Sequence, residues 1–147
     1  MNPLAQIVYV SRSTFATSEN FKGINPSVGR ILLQARINNR KKDLTGVLYF
    51  GDGCFFQCLE GEVDTVNTLL ESLKHDSRHT DVQLVSRKMI TARSFSGWEM
   101  KFVPLEGSMT RLLQSRGYTR FDPYLFDGEM VDSVLAFLGS ATVADSL

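Results

Sequence analysis

An α+β fold with the element order βαββαββ is what this chain predicts, and three observations carry the prediction. Apolar segments at 5–12, 44–50, 54–61, 81–90 and 98–104 read as strands. Stretches of helical period, 27–40 and 62–75, follow the first and third of them. A Gly-Asp-Gly turn at 51–53 joins the second and third strands as a hairpin. With 147 residues, 43% of them hydrophobic, the chain can bury a core without metal or disulfide support.

The first strand, AQIVYVSR, is too apolar to lie on a bare surface. A polar connection, 13–23, leads to Asn25 as N-cap and Pro26 at the first helical position. Val28, Ile31, Leu32 and Ala35 form the inward stripe of the first helix, which Asn38 and Asn39 continue. Arg40, Lys41 and Lys42 follow, as suits the negative end of a helix dipole. LTGVLYF and CFFQCLEG make the hairpin. The second helix carries Val63, Val66, Leu70 and Leu73 on one side. DVQLVSRKMI is the fourth strand. In the fifth, alternation predicts Trp98, Met100 and Phe102 on one face and Glu99 and Lys101 on the other. This order predicts a ferredoxin-like five-stranded mixed sheet with two helices on one face. A short helix near 109–115 and a helix 128–139 capped by Asp127 are expected on the other face, or as an association surface.

Sixteen basic and sixteen acidic residues cancel, which argues against direct nucleic-acid binding as the main task. No apolar run approaches the ~20 residues of a membrane span. No secretory leader is visible, so a cytoplasmic protein is the expectation.

Polar residues stand where apolar ones belong. Tyr9 is mid-strand in a central segment, Gln57 is mid-strand beside Phe55 and Leu59, and Asn38 and Asn39 end an inward stripe. An unpartnered buried amide costs about 1–3 kcal/mol. These groups therefore bond one another, surround a polar ligand between the helices, or face solvent. Cys54-x3-Cys58 and His75-x3-His79 imitate a zinc-finger spacing. Four strand residues separate the cysteines by about 13 Å, too far for one ion or a disulfide. Lys74 to His79 is either a solvated helix end or a phosphate partner.

In combination, IVYVSRS, ARINNR, LTGVLYF, FFQCLEG, DSRH and SFSGWEMKF resemble the BLUF family, sensors of blue light using FAD, over about 5–104. The resemblance implies a flavin-binding domain, 1–104, and a C-terminal helical extension, 105–147. FAD would bind non-covalently between the two helices. Tyr9 and Gln57 would be the photoswitch pair, with Trp98 or Met100 beside the glutamine. Asn38 and Asn39 would meet the polar edge of the flavin, and Ile31 and Leu73 its two faces. Leu73 departs from the Ile of many members, and Ala35 stands where some carry Ser. Asp76, Arg78 and His79 would lie near the ribityl–phosphate part. The implied activity is sensing, not catalysis. Excitation would draw an electron and proton from Tyr9, switch the hydrogen bonds of Gln57, and send the signal through the fifth strand and C-terminal helices to a partner protein. Homo-oligomers are expected of short members. Two rivals are a flavin-free interaction module and an acylphosphatase-like enzyme using Arg12 and Asn39.

Overall fold

The structure is a computed structural model that describes residues 3–14, 26–104 and 106–141. Most of the 13–23 connection and the Asn25 cap fall outside the described residues. The elements are β1 (Leu4–Ser13), α1 (Pro26–Lys42), β2 (Thr45–Gly51), β3 (Cys54–Glu62), α2 (Val63–Lys74), β4 (His79–Ile90), β5 (Lys101–Phe102), α3 (Glu106–Ser115) and α4 (Gly128–Ser140). A single 3₁₀ turn, Pro123–Leu125, precedes α4.

The five strands form one mixed sheet in the order β4-β1-β3-β2-β5. β1 runs antiparallel to β3 and β4, β2 antiparallel to β3, and β5 parallel to β2. This is the predicted α+β architecture. Asp52 and Gly53 take φ of 50° and 76°, the pair of positive values that a type I′ hairpin turn requires. Gly46 is dictated by contact, since a Cβ there would lie 2.1 Å from the Cys58 carbonyl oxygen across the hairpin.

Alternation splits the core into two layers. On one face, Ile7, Tyr9, Leu48, Phe55 and Leu59 pack under Val28, Ile31 and Leu32 of α1 and Val66 and Leu70 of α2. On the other, Val8, Val10, Val47, Phe56 and Cys58 pack under Met109 and Leu113 of α3 and Met130, Val131, Val134 and Leu138 of α4. The C-terminal helices thus cover the second face. Asp127 caps α4 as expected, accepting the Met130 N–H at 2.7 Å.

One element departs from expectation. The strand predicted over 98–104 is only Lys101–Phe102, and the strict alternation fails. Gly97 adopts φ 89° and the Trp98 N–H donates to the Phe95 carbonyl, so the chain turns there. Side chains then take the carbonyls that a strand would use: Asn39 Nδ2 donates to Glu99 O at 2.5 Å and Arg36 Nε to Met100 O at 3.0 Å. Met100 and Phe102 join the core under α1, whereas the Trp98 ring lies 5.3 Å from the Lys101 ammonium on the side of α4.

Candidate functional site

β1 and β3 place Tyr9 directly opposite Gln57, and β2 places Leu48 on the other side of that glutamine. All three side chains therefore point toward α1 and α2. Tyr9 is wholly buried and Gln57 is 4% exposed. The Tyr9 hydroxyl donates to Gln57 Oε1. With the amide oriented in this way, Gln57 Nε2 lies 3.9 Å from Met100 Sδ, as the donor to a weak acceptor. Burial pushes the Tyr9 phenol well above its ordinary pKa of 10.0, and the neighbouring Asp76 and Cys58 groups add to the shift.

This pair forms one wall of a cavity of about 170 Å³ between the two helices. Ile31, Gln34, Ala35 and Asn38 approach from α1, and Leu69, Ser72 and Leu73 from α2. Asn39, Leu59, Asp76, Arg78 and His79 complete the lining. Asn39 is buried to 1% exposure because its amide holds the Glu99 carbonyl, while Asn38 is half-buried at the cavity rim.

Asp76 and Arg78 form a two-pronged ion pair, Nε to Oδ1 at 3.0 Å and Nη2 to Oδ2 at 2.7 Å. Bonding to Arg78 holds the Asp76 carboxyl down at about 2. His79 is buried against Phe55 with its Nδ1 2.9 Å from Ser11 Oγ. Burial lowers its pKa below 6.5, a trend that Asp76 opposes and Arg78 reinforces. A charged end and an amide-bearing, apolar-walled middle thus share one cleft.

Of the residues expected at a site, Tyr9, Ile31, Asn38, Asn39, Gln57, Leu73, Asp76, Arg78 and His79 all line this cavity. Met100 reaches Gln57 from outside the lining, and Trp98 does not join it. The zinc-like cysteines sit on the α3–α4 side of the sheet, away from His79. Arg12 is likewise remote from Asn39: it pairs with Asp81 at 3.5 Å and lies over the Tyr124 ring at 4.3 Å. That separation removes the geometric basis for the acylphosphatase-like reading.

Sequence reasoning passed over three residues that hold the site in place. Arg36 grips the Met100 carbonyl, and its signal is an arginine on the sheet-facing arc of α1, three residues before Asn39. Glu60 is wholly buried, and its carboxylate accepts from Gln6 Nε2, Thr45 Oγ1 and the Ser94 and Phe95 N–H groups. An acid inside the apolar run CFFQCLEG was its signal. Lys101 donates to the Gly139 and Ala141 carbonyls at 3.4 and 2.8 Å, tying β5 to the end of α4.

Fold and cleft together are those of a flavin-sensor domain, and comparison with known proteins agrees. The family model for sensors of blue light using FAD matches residues 4–101, and the chain belongs to this BLUF family. It is 28% identical over 132 residues to the photoactivated adenylate cyclase subunit beta of Euglena gracilis. That match covers 83% of this chain but only 14% of the relative's length. The structure resembles BlsA in its photo-activated state, with TM-score 0.83, 29% identity and coverage of 95% of this chain and 96% of that one. It also shares its fold with the dark state of BlrB, a BLUF protein, at TM-score 0.73 and 23% identity, covering 94% of this chain and 96% of that one. Among the described residues, no helix is long and apolar enough to cross a membrane.

Proposed function

We propose that this chain senses blue light with FAD held non-covalently in the α1–α2 cleft and reports it to a partner protein. The observation that carries the reading is the buried Tyr9–Gln57 hydrogen bond at the cavity wall, continued to Met100. The donor set fits a flat heteroaromatic ring with a polar edge. Ile31 and Leu73 offer apolar faces from facing helices, and Asn38, Asn39 and Gln57 offer amides. Asp76, Arg78 and His79 supply a charged end for the ribityl–phosphate part. When bound and lit, the flavin supplies a strong oxidant.

The protein's part is to place an electron donor and a proton path. Tyr9 holds its proton on the phenol oxygen at neutral pH, as an ordinary tyrosine does, and burial makes the phenolate more unfavourable still. The only described acceptor of that proton is Gln57 Oε1. A carboxamide that accepts at one end donates at the other, so gain or loss at Oε1 changes what Nε2 presents. Rotation of Gln57 would put a carbonyl oxygen in place of the Nε2–H donor to Met100 Sδ, and tautomerisation would leave that nitrogen one N–H instead of two. That contact is weak, so the switch costs little there. Met100 is adjoined by Lys101, which holds the end of α4, and this is the exit route for the signal. We place the flavin-binding part at 1–104 and the output part at 105–147, with assembly into homo-oligomers and a cytoplasmic site of action.

An absorption difference spectrum tests the reading. Purified protein is expected to be yellow, to shift some nanometres to the red under blue light, and to recover in darkness. Tyr9→Phe keeps the ring and should keep the flavin while losing the reversible shift. A full photocycle in Tyr9→Phe, or wild-type protein that refuses added FAD, refutes it.

A further inference from the structure

α1 has two working sides, and only one faces the cleft. Its seventeen residues include five cations, Arg30, Arg36, Arg40, Lys41 and Lys42, and no acid. At about 100° per residue, Arg30, Leu33, Ile37, Arg40 and Lys41 fall within an arc of roughly 100°. Ile31, Ala35 and Asn38, which line the cavity, lie on the far side of the helix. Leu33 is 62% exposed and Ile37 49%, two of only five large apolar side chains so exposed among the described residues.

The helix dipole accounts for cations in the last turn but not for Arg30, near the positive end, where no acid stands in the first turn. Arg30 has Ser27 Oγ as its described hydrogen-bond partner. Arg40 meets Glu99 at 3.2 Å, with both side chains well exposed to solvent. The stripe is thus an apolar pair one turn apart, flanked by cations on both sides.

We propose that this outer side of α1 docks an acidic amphipathic helix of a partner protein. An apolar pair at i, i+4 matches the anchor spacing of a docked helix, and flanking cations complement Asp or Glu. A membrane is the poorer occupant. Two aliphatic side chains fall short of the broad apolar face of an interfacial helix, and zero net charge gives no long-range pull toward anionic lipid. The purpose of the surface rests on the sensor reading above. α1 carries cleft residues on one side and, through Arg36 and Asn39, holds the carbonyls of Met100 and Glu99, so a ligand on its outer side is one helix-width from the switch.

The test uses a fluorescent synthetic helical peptide bearing two leucines four apart, flanked by glutamates, with anisotropy as the readout. Micromolar binding is expected, weakening as salt rises. Arg30→Glu with Lys41→Glu should weaken it about tenfold or more, as should Leu33→Ser alone. The claim is overturned if the peptide binds no better than its Leu-to-Ser version, if the variants bind like wild type, or if phosphatidylglycerol vesicles or duplex DNA occupy the stripe more tightly than the peptide. The light-induced red shift, recorded on the same proteins, separates the two ideas. A red shift retained while docking is absent condemns only the surface, and a missing red shift in wild type condemns only the sensor reading.

Discussion

The Tyr9–Gln57 pair makes a quantitative demand on stability. Tyr9→Phe removes one hydroxyl from a wholly buried side chain and leaves Gln57 Oε1, itself 4% exposed in its residue, without its donor. An unpaired buried acceptor costs about 1–3 kcal/mol. Gln57→Leu orphans the Tyr9 hydroxyl at a similar cost of about 1–3 kcal/mol and gives up only a long contact to sulfur. The double variant replaces both partners by apolar groups of similar shape, which is close to neutral. The singles therefore sum to about 2–6 kcal/mol while the double stays near about 1 kcal/mol, a coupling well outside additivity. Urea unfolding, followed by circular dichroism in the dark, reads it. All four proteins need the same saturating FAD, since a ligand that binds only the folded state adds stability of its own. In thermal melts each kcal/mol corresponds to about 2–4 °C for a domain of this size. If the double variant loses the sum of the singles to within about 0.5 kcal/mol, the two side chains are not partners and the relay has no first link.

Two further outcomes follow from buried titratable groups. Because burial lowers the His79 pKa, stability is full above the unfolded value of 6.5 and falls as pH drops through the lower folded value. Asp76, held near 2 by Arg78, contributes stability present above 3.8 and lost as pH falls toward 2, about 1 kcal/mol after allowance for solvent screening. A plot of Tm against pH should thus fall in two stages, with His79→Gln flattening the upper stage and Asp76→Asn the lower. Glu60→Gln puts an NH₂ where a carboxylate oxygen accepted two donors, so it should cost about 1–3 kcal/mol and speed hydrogen exchange at Ser94 and Phe95. Unchanged exchange there would mean that Glu60 does not anchor the turn.

What was legible in the sequence follows the range of the forces involved. Strands β1 to β4 and all four helices are written in local periodicity. The polar misfits Tyr9 and Gln57 are visible for the same reason, since a period of two puts them on a face where apolar residues were due. The segment between β4 and β5 is different. Its path depends on Glu60 taking two of its N–H groups and on Arg36 and Asn39 taking two of its carbonyls. All four of those bonds join residues at least 34 positions apart, where periodicity carries no information.

That same segment decides which residue can meet the glutamine. Alternation put Trp98 and Met100 on one face, but a turn at Gly97 breaks the strand before Trp98, and the two side chains part. Met100 goes to Gln57, and the Trp98 ring lies by the Lys101 ammonium. The sheet backbone therefore separates Met100, which reaches Gln57, from the Trp98 ring, which lies by the Lys101 ammonium. Lys101, the next residue after Met100, makes three contacts on the second side: the Gly139 carbonyl of α4, the Ala141 carbonyl just past its end, and the Trp98 ring. On the proposed route, a shift of the Met100 backbone is passed to Lys101, whose ammonium holds the Gly139 and Ala141 carbonyls. If the ammonium follows, these carbonyls lose a part-buried donor or the end of α4 moves with it, and the proposed switch at Gln57 would then be felt on the opposite face of the sheet.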